Sequence, residues 1–308
     1  MKLLTHERQW RGGETVIAFG MFDGVHEGHA RLMSTARELA ERDGIASVVY
    51  TFSSHPMAAF APQRVPPGLH TRSEKVSAIA QQGIDVAVLR PFDSDYAAQS
   101  PEEFVCAFVD ALHPRHVVIG FNFSFGCRGL GKAQDMVELG RRYGFETHVV
   151  GAVLMDGEPV SSTRVRAAIE AGDLPLATRL LGRPYSLSGV VERGKQLGRT
   201  LDFPTANLPL PENKVLPPRG VYAAMAYVRC AWHMAAVNIG RHPTVPEGRA
   251  TVEANLLDYD GPDFYGNHMR LVLYTQVREE RQFASLDELR AEVLRNREQV
   301  RAYFSNIF

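Results

Sequence analysis

The chain has 308 residues, 45% of them hydrophobic and 22% charged, with a formal net charge of −1. That length predicts two domains, each able to bury a core, and the composition excludes a disordered chain. The charge shows none of the basic excess that binding to a nucleic-acid backbone selects, which argues against a nucleic-acid partner.

In chain order, the opening Met1–Arg8 carries acidic and polar residues too early for the apolar stretch of a signal peptide. No later apolar run approaches the roughly 18 residues a membrane span needs. The three cysteines, Cys106, Cys127 and Cys230, are odd in number and widely spaced. They fit neither a disulfide framework nor a zinc spacing, so the chain is expected in the cytoplasm, without a membrane partner.

The first half alternates short apolar runs with stretches of helical spacing. Val16–Phe19, Ala46–Phe52, Val86–Leu89, Val117–Ile119 and Thr147–Val150 are predicted strands; Arg31–Glu41, Ser73–Gln82, Glu102–Leu112 and Ala133–Tyr143 are predicted helices. This alternation predicts a doubly wound parallel sheet, with ligands beyond the carboxyl ends of its strands. After about Leu181 the pattern changes to Ser186–Glu192, Val221–Val228, Trp232–Ile239, Thr251–Leu256 and Met269–Val277, separated by Pro/Gly turns. Those runs predict an antiparallel sheet or small barrel. A helix from about Leu286 to Tyr303 closes it, opened by a capping-box pattern, Ser285 and Glu288. The expected domains are 1–182 and 183–308.

Two segments carry chemistry. Gly20-Met21-Phe22-Asp23-Gly24-Val25-His26-Glu27-Gly28-His29 joins the first predicted strand to the first predicted helix. Such a junction presents free N–H groups and the positive helix end to an anion, and its glycines permit a close approach. Taken alone, the histidines suit capping, zinc ligation without a nearby third ligand, or a hold on phosphate oxygens. Val160-Ser161-Ser162-Thr163-Arg164-Val165-Arg166 opens a later helix. Hydroxyls are ordinary there, but arginines oppose the helix dipole unless an anion is bound. Asn122 sits among Phe121, Phe123 and Phe125, which are either core or the wall of a planar ligand site.

In the second half, Gly194-Lys195-Gln196-Leu197-Gly198-Arg199 resembles a phosphate-binding loop, but Gln196 stands where a P-loop needs Ser or Thr. Thr205 and Asn207, at alternate positions, would face the same way in an extended segment and offer neutral oxygens to magnesium. A loop capped by its own Thr and Asn remains the alternative.

Together, Gly20-x-Phe-Asp-Gly-Val-His-x-Gly-His29 and the Ser-Ser-Thr-Arg segment resemble the nucleotidyltransferase domain of bacterial bifunctional riboflavin kinase/FMN adenylyltransferases. Gly198-Arg199 through Phe203-Pro204-Thr205-Ala206-Asn207 resembles the riboflavin kinase signature. Gly220-Val221-Tyr222, Asn238-Ile239-Gly240, Pro243-Thr244 and Val252-Glu253-Ala254-Asn255 follow in the family's order. The resemblance implies a riboflavin kinase domain after a nucleotidyltransferase domain, with riboflavin, FMN and ATP as ligands and Mg2+ as cofactor. It implies His26 and His29 as catalytic groups on ATP phosphates, with Gly20, Phe22, Asp23, Gly24, Asn122, Ser162, Thr163 and Arg166 in the same nucleotide site. In the kinase it implies Lys195, Gly198 and Arg199 on the nucleotide, Thr205 and Asn207 on MgATP, and Glu253 as general base.

Overall fold

The run Thr15–Phe19 is buried along its whole length, which a strand achieves only when both faces of its sheet are covered. In the computed structural model, which describes residues 1–193, 205–211, 213–241 and 250–307, this strand lies inside a six-stranded parallel sheet. The described chain divides into two compact units, Met1–Ser162 and Thr163–Phe308.

The first unit contains β1 (Lys2–Leu4), β2 (Thr15–Phe19), β3 (Ala46–Phe52), β4 (Val86–Arg90), β5 (Pro114–Gly120), β6 (Ser124–Phe125), β7 (Gly131–Lys132), β8 (Glu146–Val150), β9 (Leu154–Met155) and β10 (Glu158–Pro159). Its sheet runs β1-β4-β3-β2-β5-β8 with every neighbouring pair parallel. The helices are α1 (Glu27–Asp43), α2 (Arg72–Ala80), α3 (Ser94–Ala98), α4 (Pro101–Leu112) and α5 (Ala133–Tyr143). Alternate residues of the strands feed opposite cores. Val16, Ala18, Val49 and Val118 pack with Leu32, Met33 and Ala36 of α1 and Ile79 of α2. Ile17, Phe19, Tyr50 and Ile119 pack with Phe104 and Phe108 of α4 and Met136 of α5. That two-sided burial is the doubly wound arrangement the sequence predicts. β1 is an addition: three residues at the chain start pair in parallel with β4, too short a run to show periodicity.

α6 (Ser162–Glu170) begins on the last residue of the first unit. In the second unit follow α7 (Leu174–Leu181), β11 (Ser186–Val190), β12 (Thr205–Asn207), β13 (Gly220–Val228), β14 (Ala231–Arg241), β15 (Ala250–Leu256), β16 (His268–Glu279) and α8 (Leu286–Ser305). The sheet order is β11-β16-β13-β14-β15-β12, antiparallel throughout. Two register shifts in the β13–β16 pair bend it. The curl brings the end beyond β11 to β12, where Glu192 bridges Asn207 and its N–H donates to the Asn207 carbonyl at 2.9 Å. The result is a curled antiparallel half-barrel, joined among the described residues by the Glu192–Asn207 bridge, with α8 packed on it through Val300 and Phe304 against Val221, Ala223 and Ala236. The capping box of α8 forms in part. Ser285 Oγ accepts from the Glu288 N–H at 3.2 Å, but the Glu288 carboxylate accepts from the Ala284 N–H at 3.1 Å, one residue before the cap.

Candidate active sites

In the first unit, strand order reverses beside β2. The chain passes from β2 to β3 and β4 on one side, then returns to lay β5 and β8 on the other. A crevice opens at the carboxyl ends of two strands where their outgoing connections part in this way. The glycine–histidine segment leaves β2 there, and Asn122 follows β5 at the same sheet edge.

The turn after β2 is strained and heavily tied down. Phe22 and Val25 adopt left-handed backbone, with φ of 48° and 43°, at about 1–3 kcal/mol each for residues with bulky side chains. The restraints come from several directions. The ammonium of Lys75 on α2, itself buried, donates to the carbonyls of Met21 (3.0 Å) and Phe52 (3.1 Å), and Thr51 Oγ1 donates to the Met21 carbonyl (3.0 Å). The Asp23 carboxylate accepts from the N–H groups of Leu69 and His70 at 3.0–3.1 Å, and its backbone carbonyl accepts from Ser162 Oγ at 2.8 Å. Hydrogen bonds to charged groups contribute about 1.5–3 kcal/mol each, enough together to hold the turn against its strain. Gly20 is required by packing: a Cβ there would lie 2.8 Å from the Phe22 ring.

His26 is the N-cap of α1. Its Nδ1 accepts from the His29 N–H at 3.3 Å, which places its ring proton on Nε2. The two imidazoles stack at 3.7 Å between centroids, and Phe22 meets His29 edge-on at 5.1 Å. Gly28 makes room, since a Cβ would come within 3.1 Å of the His26 ring. Capping and ligand binding, alternatives in the sequence, therefore coexist here. His29 Nδ1 is buried with no hydrogen-bond partner among the described residues. Burial, then the nearby His26, Lys75 and His70, hold the His29 pKa well below its ordinary 6.5. The His29 imidazole is thus neutral near pH 7, beside the Lys75 ammonium, and an arriving anion would favour its charged form.

This depression has a measurable consequence. Below pH 6.5 the unfolded chain takes up a proton at His29 that the folded chain resists, so the associated stability is complete above 6.5 and is lost as pH falls. In a Trp232→Phe background, where Trp10 reports on the first unit, urea unfolding should show a smaller drop from pH 7.5 to 5.5 for His29→Gln than for its parent. Equal drops would contradict the assignment.

Other expected residues occupy distinct places. Phe125 is core, Phe123 packs at the edge of that core, and Phe121 is 53% exposed, so the aromatic trio divides between packing and surface. Asn122 is exposed. Thr163 and Arg166 continue α6 in the second unit. A groove of about 650 Å³ runs between Arg31 and Thr35 of α1 and residues Thr147–Val153, lined by neither His26 nor His29.

In the second unit the pairing register assembles a polar row. Asn207 of β12 lies directly across from Glu253 of β15, which lies across from Asn238 of β14. Directly opposed residues share a face, and Thr205 joins that face two residues along. Asn255 lies opposite Thr205, and its Oδ1 accepts from Arg297 of α8 at 2.8 Å. The closing helix therefore packs on the same face, beside the Glu253 row. Lys195, Gly198 and Arg199, the stretch through Pro204, and Pro243 and Thr244 lie outside the described residues.

Sequence reasoning missed Lys75, His70 and Arg297. Lys75 left one signal, a lone cation three and four residues before Ala78 and Ile79 on the buried face of a helix. Arg297 and His70 left none, because their partners are set by tertiary register.

Matches to two known families, one for each part of the chain, define the class: a two-unit ATP-dependent transferase of flavins. The family described as FAD synthetase matches residues 8–164, and that described as riboflavin kinase matches residues 181–304. The chain is 35% identical over 299 residues to the bifunctional riboflavin kinase/FMN adenylyltransferase of Bacillus subtilis, covering 96% of this chain and 94% of that one. It is 36% identical over 291 residues to the protein of the same name from Escherichia coli K12, covering 94% and 92%. The chain belongs to the family of bifunctional riboflavin kinase/FMN adenylyltransferases. A solved structure described as a macrolide-efflux protein from Streptococcus pneumoniae superposes with a TM-score of 0.86 at 28% identity, covering 97% and 98%. Among the described residues no helix is long and apolar enough to cross a membrane.

Proposed function

We propose that the second unit phosphorylates riboflavin through Glu253 and that the first adenylylates the resulting FMN through His26 and His29. What supports the first half is the register that sets the Glu253 carboxylate among the neutral side chains of Asn207, Asn238 and Thr205. The carboxylate takes the proton of the 5′-hydroxyl of the ribityl chain as its oxygen bonds to the γ-phosphorus, and the bond to the β-phosphate oxygen breaks, leaving ADP. Thr205 and Asn207 offer neutral oxygens on one face, a donor set that suits magnesium. When bound there, magnesium supplies charge neutralisation on the phosphates. Lys195, Gly198 and Arg199 are assigned to the same nucleotide by resemblance.

In the first unit an FMN phosphate oxygen bonds to the α-phosphorus of a second ATP while the bond to the β-phosphate oxygen breaks, releasing pyrophosphate. The attacking oxygen is already anionic, so no strong base is needed. Positioning and charge stabilisation are, and the start of α1 with its histidine pair supplies them. Gly20, Phe22 and Gly24 shape the turn, Asp23 and Ser162 brace it, and Asn122, Thr163 and Arg166 are assigned to the nucleotide by resemblance. Residues 1–182 are assigned to the adenylyltransferase and 183–308 to the kinase, a boundary two residues after the start of the riboflavin kinase match at 181. The three cysteines are free, in keeping with the cytoplasm.

Chromatography of products from riboflavin or FMN with ATP tests this. With magnesium, riboflavin should yield FMN and FAD, and supplied FMN should yield FAD; chelation of magnesium should stop both steps. Either step persisting at full rate in chelator would remove the metal from it.

A further inference from the structure

Parallel strands in register bring three potential metal ligands together at the end of the sheet opposite the histidine turn. His116 is the third residue of β5 and pairs directly with Glu146, the first of β8, while His148 stands two residues on. His116, Glu146 and His148 project to the face that carries α1, whose last residue, Asp43, reaches the same spot. We propose that His116, Glu146 and His148 bind a divalent cation of the zinc class.

The distances fit. His116 Nδ1 lies 3.0 Å from His148 Nε2, and the Glu146 carboxylate lies 3.5 Å from the first nitrogen and 3.7 Å from the second. All three ligand atoms fall within 4.8 Å of one another. Tetrahedral bonds of roughly 2.0–2.1 Å put neighbouring nitrogen ligands about 3.3 Å apart, so side-chain adjustments of a few tenths of an ångström suffice. Two imidazoles and a carboxylate select zinc over magnesium, which prefers all-oxygen sites.

The support behind the ligands is also in place. His116 is buried, and its Nε2 lies 2.8 Å from Asp43 Oδ2. Arg42 Nη2 lies 3.1 Å from that same nitrogen, but a guanidinium offers only donors, and the shorter carboxylate contact sets the proton on Nε2. Nδ1 then turns its lone pair toward His148 and Glu146. A carboxylate fixing the tautomer of a histidine ligand is the usual outer support of a bound metal. Arg42 and Arg115 pair with Asp43 at 2.7 and 3.2 Å, which keeps their charge on its carboxylate. Without metal, the proton on His148 Nε2 bridges to His116 Nδ1; metal binding moves it to His148 Nδ1. The side chains of Glu146 and His148 are 66% and 25% exposed, leaving an entry path.

The test is calorimetric titration of the chelator-stripped full chain with Zn2+, without nucleotide. One ion per chain is expected. Affinity should fall at least tenfold in His148→Gln and Glu146→Gln, and roughly 10–100-fold in Asp43→Asn, with far-UV circular dichroism confirming that each folds. Excess Mg2+ should not compete, and His29→Ala should bind as the parent does. Co2+ in place of Zn2+ should give visible absorption that His148→Gln lacks. Absence of saturable binding, parental affinity in both ligand variants, or loss in His29→Ala would each overturn the site.

Discussion

Glu253→Gln should lower kcat for FMN formation from riboflavin by roughly 10²–10⁴-fold, the usual contribution of a positioned general base, and leave FAD formation from supplied FMN unchanged. Glutamine keeps the shape of the side chain and its place across from Asn207 and Asn238, so the substitution isolates proton acceptance. KM for riboflavin and for ATP should stay near the parental values, because a base that acts as the hydroxyl attacks contributes mainly to the transition state. The size of the fall also reports timing. In a loose transition state the alcohol keeps its proton until late, and the loss would sit at the lower end. A kcat within a few-fold of the parent would remove Glu253 from the chemistry. A parallel loss of FAD formation would contradict assignment of the two steps to separate units.

The sequence predicted the sheet of the first unit because its central strands β2–β5 are buried on both faces and helices such as α1 and α4 carry a clear apolar stripe. It missed β1, which pairs with β4 over only three residues. α7 was likewise not separated from the stretch before Gly182, although Asp173 caps it and Pro175 stands in its first turn. In the site, spacing identified residues that act through their own neighbours. His26 and His29, one turn apart at a helix start, must stand together, and Thr205 and Asn207, two apart on a strand, must share a face. Spacing could not bring Lys75 of α2 under the turn, because that contact spans 54 residues. Nor could it set Arg297 on Asn255, 42 residues away. Such partners depend on which helix packs over which strand, information distributed over the whole core. The role of Asp23 was legible only in part. Its position in the motif was evident, but its carboxylate braces Leu69 and His70, a duty no local pattern displays.

His29→Ala should reverse the pattern of Glu253→Gln, lowering FAD formation from FMN by roughly 10²–10³-fold, as expected for one donor lost from a preorganised anion site, with FMN formation from riboflavin unaffected. The magnitude follows from the cost the free protein already bears. A buried ring nitrogen without a partner and an imidazole whose protonation is suppressed by burial are both unfavourable until an anion arrives. An approaching triphosphate then gains a donor already in place and, where it raises the His29 pKa, a full positive charge as well. A structural histidine would behave otherwise. Its removal would cost stability and leave catalysis in proportion to the folded fraction. Here the alanine variant loses an edge contact with Phe22 and a stack on His26, about 0.5–1.5 kcal/mol for an aromatic pair. It also loses the unpartnered nitrogen, which offsets that cost. The urea midpoint should therefore change little while FAD synthesis collapses, a combination only a ligand-facing role produces. A destabilised protein with a full specific rate would return His29 to the core of the turn.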